Sequence, residues 1–169
     1  IRSSLLAQFP NVEFGMSTRQ GEAPDAPFDF NLGYNLGDAD ERVTSNISRF
    51  AEAIHLEAAE LAVMQQVHGD TILDVSEPGI YEATDAIVTT QQRVGLSVRT
   101  ADCVPVILYV PAAQVIAVAH AGWRGTAAHL VPKLIEHLRN NYKVDPADVY
   151  AYIGPAASMD FYEVGPEVA

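Results

Sequence analysis

From residue 104 to residue 122 the chain is almost continuously apolar, and no other stretch limits the possible folds as much. The run approaches the length of a bilayer span. Pro105, Pro111, Gln114 and His120 interrupt it, however, and its β-branched residues suit strands better than a helix. The pattern predicts strands over 104–110 and 114–120 joined by a turn over 111–114, which should pair as a hairpin. No membrane insertion is expected. The second strand stops abruptly on His120, after which Gly122 and Gly125 bracket Trp123 and Arg124. Glycines so close behind a strand permit a sharp turn and a near approach of backbone to something bound there.

The only cysteine, Cys103, directly precedes the first strand of this hairpin, so pairing should bring it near His120. His68 behaves similarly: it follows an apolar run at 61–64 and precedes Gly69. Two histidines and a cysteine, each expected at a strand end of one shared sheet, make a candidate His2Cys site. Three chemistries remain open for it. Zinc accepts thiolate and imidazole together, and three protein ligands with an open position mark a catalytic zinc. Cys103 could instead be a nucleophile with His120 as its base. Copper in a His2Cys site would do redox chemistry. The residue types suit zinc best, because a Cys–His dyad leaves His68 without a role.

Composition narrows the class. A chain of 169 residues can bury its own core and is expected to be one domain, and 49% apolar with 19% charged residues is ordinary for a globular protein. A net charge of −12 argues against a nucleic-acid binder, which needs a basic face. It also means that a phosphate-bearing substrate must be met by individually placed arginines, since the ten lysines and arginines form no basic run. One cysteine excludes an internal disulfide and fits a reducing compartment. With no secretory leader visible at the start, a cytoplasmic location is expected.

The remaining elements follow from periodicity. Residues 12–17 alternate like an edge strand, and the asparagine- and glycine-rich stretch 28–38 reads as a packed loop. Asp40 is placed to cap a helix running to Ile54, with Val43, Ile47, Phe50 and Ile54 on one face and His55 solvated at its end. Strands are predicted over 61–67, 71–75, 85–90, 93–99 and 149–153. A helix should follow Gly125, burying Leu130, Val131, Leu134, Ile135 and Leu138, with Pro132 in its first turn or at a kink. His129 and His137 lie off that face and read as surface residues. The chain closes on a turn at 162–166, after which a helix start is expected. Many strands with two helices imply an α+β sandwich in which helices cover mixed, mostly antiparallel sheet.

Several short motifs, in this order, resemble the YfiH or laccase-domain family over nearly the whole chain. They are Ser17-Thr18-Arg19, Asn31-Leu32-Gly33, Gly37-Asp38, Gln66-Val67-His68-Gly69, Asp85-Ala86, Ala101-Asp102-Cys103, His120-Ala121-Gly122-Trp123-Arg124-Gly125 and Ile153-Gly154-Pro155. The resemblance implies an αββα sandwich, shared with some toxin cysteine deamidases. It further implies a zinc-dependent purine nucleoside phosphorylase acting on adenosine, inosine and methylthioadenosine, with adenosine deaminase activity, and metal ligands at His68, Cys103 and His120. Purine nucleoside and phosphate are then the expected partners. In so acidic a chain Arg19 and Arg124 are the candidates for the anion, Arg124 having a structural hydrogen bond within the glycine turn as its alternative. Trp123 either stacks on a base or is simply buried. Asp102 is the candidate acid/base. The alternatives are a copper-dependent polyphenol oxidase, as family members were once called, and a non-catalytic metal-binding module, which would normally have four protein ligands. Two departures stand out. Glu22 follows Gly21 where the family reads Gly-Gly, and family members continue past the position of Ala169. The 169 residues are thus expected to be a single laccase-type domain short of the family's C-terminal segment, with a partner copy (a homo-oligomer) or further residues covering the sheet.

Overall fold

The computed structural model describes residues 1–21, 28–165 and 168, with the side chain of Met159 left out. Glu22 and most of the expected helix start after Gly165 lie outside the described residues. Residues 1–61 and 62–169 form two compact units.

In the first unit the predicted helix forms as α1 (Asp40–Glu52), with Val43 and Ala51 fully buried. Asp40 is its first helical residue, not its cap; the cap is Ala39, whose N–H is held by the Asp38 carboxylate at 2.9 Å. Asp40 and Glu41 in the first turn and Arg49 in the last still complement the helix dipole. Buried Asn46 donates to the Asn31 carbonyl at 3.0 Å, and Asn31 bonds both Gly33 and Asp38. The asparagine–glycine stretch is therefore a packed loop, as its composition suggests. The edge strand expected over 12–17 is not present. Met16 and Ile1 exchange a single pair of backbone hydrogen bonds, too few for a ladder.

The second unit carries two sheets. β1 (Leu61–Met64), β3 (Gly79–Tyr81) and β5 (Gly95–Ser97) form one, in the order β3-β1-β5. The other contains β2 (Ile72–Asp74), β4 (Ala86–Thr89), β6 (Val104–Val110), β7 (Val115–Ala121) and β8 (Tyr150–Ile153), in the order β2-β4-β7-β6-β8. The hairpin read from the sequence is its centre: β6 and β7 pair antiparallel from Val104↔Ala121 to Val110↔Val115. Gln114 closes the turn in a left-handed conformation, φ 51°. Strand β3 had no periodic signal, being three residues long.

The period of two along each strand sorts the side chains. Val106, Leu108 and Val110 of β6, Val115, Ala117 and Ala119 of β7, and Ala86 and Val88 of β4 pack with Leu130, Leu134 and Leu138 of α3 (Leu130–Tyr142). The alternate residues Ile87 and Val118 pack against Ala62, Met64 and Val94 beneath the smaller sheet. This α+β arrangement of two packed sheets with a helical cover is the class expected from the sequence. His120, two residues after Val118, belongs to the face between the sheets, and so does Asp85, two residues before Ile87. Both are polar groups placed among apolar ones, and both are buried.

Helix α3 has Pro132 in its first turn, where the missing N–H costs nothing. His137 is not a free surface residue. Its ring nitrogen contacts Asp74 of β2 at 2.9 Å, Asn141 bonds its other nitrogen, and Tyr142 donates to the same aspartate. Burial, then that hydrogen bond and the Asp74 charge, push the Tyr142 hydroxyl well above its ordinary range. The helix ends on Lys143 at φ 58°. A left-handed lysine costs about 1–2 kcal/mol, while glycine there costs about 0.5–1 kcal/mol in unfolded-chain entropy. Lys143→Gly is therefore expected to stabilise the protein by about 0.5 kcal/mol, read from the denaturant midpoint; an unchanged or lower midpoint contradicts it. At the edge of the larger sheet Ile153 is 69% exposed, as is Phe161 beyond it at 87%. No helix among the described residues is long and apolar enough to cross a membrane.

Candidate metal centre

Three segments from different parts of the second unit meet at one point. The first follows β1 and carries His68, the second leads into β6 and carries Cys103, and the third is the end of β7 with His120. The three residues are not in one shared sheet, as their strand-end positions suggested. The strand before His68 belongs to the smaller sheet and the hairpin to the larger. The side chains nevertheless converge: one ligand atom from each of His68, Cys103 and His120 lies within 4.8 Å of the others. The two imidazoles meet edge to face with centroids 4.7 Å apart. His120 is buried, Cys103 half-buried and His68 exposed, which leaves the cluster reachable from one side. Among the described residues it is the one group of this kind.

The space among these side chains suits an ion. Gly122 faces it, and a Cβ there would stand 3.0 Å from His68, 3.1 Å from the Cys103 sulfur and 3.7 Å from His120. Its backbone, φ −72°, is one that any residue adopts, so glycine is required by the neighbouring side chains rather than by conformation. Gly125 has a related role in α2 (Trp123–Ala127): a Cβ there would lie 2.7 Å from the Gly69 carbonyl, in the loop that carries His68. The tight glycine spacing read from the sequence is thus explained by two close approaches. A His2Cys donor set with room between the donors fits a borderline-soft divalent ion.

In the sequence Asp85 heads a predicted strand and stands in one of the family motifs, with no role of its own. The structure makes it the hub of the centre. Its fully buried carboxylate accepts the backbone N–H groups of Val67 at 3.1 Å, His68 at 3.0 Å and Gly69 at 2.8 Å, and it contacts Nδ1 of His120 at 2.8 Å. Register explains the last contact. Ala86 pairs with Ala119, so Asp85 lies opposite His120, whose N–H also reaches the Asp85 carbonyl at 2.8 Å. Burial pushes the Asp85 carboxyl up, but the bonds from His120, Gly69 and Val67 outweigh it and hold the group below the usual carboxylate range. The available signal was a charged residue heading the wholly apolar run 86–88, which must be satisfied when buried.

Burial, followed by the negative charges of Asp102 and Asp85, raises the Cys103 thiol above its ordinary pKa. Asp102 itself is exposed beside that sulfur. Arg124 is exposed on α2 with its guanidinium over the Trp123 ring, 4.3 Å from the centroid, and Trp123 is half-buried. The guanidinium has no hydrogen-bond or ion-pair partner among the described residues, so the glycine turn is not braced by it there. Arg19 belongs to the first unit, where it lines a cavity of about 230 Å³ with Phe28, Phe30, Asn31 and Leu36. Exposed Lys133 of α3 bonds Asp70, two residues after His68.

The chain is 39% identical to a purine nucleoside phosphorylase of Corynebacterium glutamicum over 88% of its own length and 62% of that protein's. It is 36% identical to a purine nucleoside phosphorylase of Deinococcus radiodurans over 97% of this chain and 65% of the other. Among solved structures, YlmD from Geobacillus stearothermophilus superposes with a TM-score of 0.82 at 30% identity, over 88% of this chain and 58% of that one. The chain thus spans somewhat less than two thirds of the length of the curated relatives it matches. With residues 13–169 matching it, the chain belongs to the family described as multi-copper polyphenol oxidoreductase laccase, the laccase-domain family that its motifs resemble.

Proposed function

We propose that this chain carries the metal centre of a zinc-dependent purine nucleoside phosphorylase, acting on adenosine, inosine and methylthioadenosine and also deaminating adenosine. The carrying observation is the convergence of His68, Cys103 and His120 in a chain this similar to proteins named purine nucleoside phosphorylase. Those three residues would hold the ion, which when bound supplies Lewis acidity at an open coordination position. Phosphorolysis forms a bond from a phosphate oxygen to the ribose anomeric carbon, breaks the glycosidic bond and leaves a purine that must take up a proton. In a chain of net charge −12 the phosphate needs a local cation, and Arg124 has a guanidinium free of other described partners to offer it. Arg19, beside an aromatic-lined cavity, is the second candidate. Asp102, exposed next to the Cys103 sulfur, is the candidate for moving the proton. Trp123, already stacked under Arg124, can hold that guanidinium in one orientation.

Zinc-loaded protein given adenosine and phosphate should release adenine and ribose 1-phosphate, and adenosine alone should yield inosine more slowly. Arg124→Ala should lower phosphate-dependent kcat/KM by about 10–100-fold, the worth of a charged hydrogen bond, and leave deamination within about threefold. Equal losses in both reactions would remove Arg124 from the anion site. A copper-dependent phenol oxidase is the second reading, favoured by the family's description. It predicts oxygen uptake with a phenol by copper-loaded protein and no phosphorolysis by the zinc-loaded form.

A further inference from the structure

We propose that Asp85 is the positioning residue that turns His68, Cys103 and His120 into a metal centre, by fixing the tautomer of one histidine and the backbone of the other. The inference rests on the reading of the three side chains as metal ligands. An ionised carboxylate only accepts hydrogen bonds. With Asp85 Oδ1 at 2.8 Å, the His120 Nδ1 must carry the ring proton, and Nε2 is left with its lone pair free for an ion. The same oxygen takes the His68 N–H, and Oδ2 takes those of Val67 and Gly69.

Three successive N–H groups can converge on one carboxylate only if the backbone between them curls, and His68 does this at φ 61°. Such a conformation is uncommon for a side chain of this size and persists only where its surroundings impose it. Asp85 thus acts on His68 through the main chain and on His120 through the ring. Being fully buried immediately before β4, an interior strand of the larger sheet, it does both from a rigid base. A residue that merely capped the 66–69 loop would satisfy the three N–H groups without controlling an imidazole proton.

Asparagine disturbs one role or both, whichever way its amide turns. In Asp85→Asn with the amide oxygen toward Val67 and Gly69, the NH2 group faces both His120, which must then accept at Nδ1 and carry its proton at Nε2, the ligating position, and the His68 N–H, which loses its acceptor. With the amide reversed, Val67 and Gly69 face a donor and the loop carrying His68 loses its anchor. Either way Asp85→Asn should bind zinc about 10–100-fold more weakly in chelator competition, the range found for changes to groups that orient metal ligands.

The tautomer can also be read without a variant. In wild-type protein loaded with zinc and labelled with 15N-histidine, long-range 1H–15N correlation should place the His120 proton on Nδ1. A proton on Nε2, or zinc affinity in Asp85→Asn equal to wild type, overturns the inference. Should the asparagine variant fail to fold, the wild-type spectrum decides alone. A wild type that takes up no metal overturns the metal reading itself, a result distinct from metal uptake with the opposite tautomer.

Discussion

Cys103→Ala should lose zinc almost completely while keeping its fold. Removing a ligand costs more than disturbing a group that orients one, so the affinity should fall by at least about 100-fold. The fold should survive because Cys103 contributes to neither apolar cluster, and the change in unfolding free energy of the metal-free protein should stay within about 1 kcal/mol. The pH dependence adds a second readout. Burial and the charges of Asp102 and Asp85 keep the thiol protonated to higher pH than usual. To ligate, it must release that proton, so wild-type affinity should rise with pH by about tenfold per unit for this proton alone until the thiol ionises unaided. In Cys103→Ala that part of the slope should vanish. Metal content by elemental analysis and competition titrations at several pH values measure both. A nucleophilic cysteine predicts the reverse pattern: activity lost, zinc retained.

Gly122→Ala should be nearly as damaging to metal binding, by a different route. The substitution changes no ligand and asks for no unusual backbone, since φ is −72°. It places one methyl group 3.0–3.1 Å from His68 and the Cys103 sulfur, in the space the ion would occupy. The expected outcome is zinc affinity at least about tenfold below wild type, with stability lowered by about 1–3 kcal/mol because two packed side chains, His68 and Cys103, must give way. Gly15, in the other compact unit, is a control: its added Cβ would also meet a side chain closely, that of Ile54, but no ligand of the centre. Zinc binding in Gly122→Ala as tight as in wild type would show that the ligands close around something other than that point.

Much of this was legible in the primary structure because the relevant forces are local. The interrupted apolar run at 104–122 could be buried only as a hairpin, and a hairpin with a four-residue turn has one natural register, so the nearness of Cys103 and His120 followed. The 3.6-residue period of leucines at 130, 134 and 138 fixed which face of α3 is buried. The His2Cys set was visible because thiolate and imidazole are the donors a borderline-soft ion prefers, and each stood beside a break in an apolar pattern.

What only the tertiary structure decided depends on pairing across sequence distance. The assignment of β1 to one sheet and of β4, β6 and β7 to another has no local signature, because a buried strand reads alike in either. The left-handed turn at His68 is imposed from Asp85, seventeen positions later, and not by the loop's own sequence. His137 reads as a solvated helix residue until β2 brings Asp74 to it. Asp85 shows the division most clearly. The sequence places a carboxylate at the head of an apolar strand, which local energetics alone disfavour. Its purpose emerges only when the register Ala86↔Ala119 sets it opposite His120 and the β1–β2 loop folds three N–H groups onto its oxygens. Residue types and periodicity determine which groups can be buried and which can bind; the relative placement of two sheets determines which of them meet.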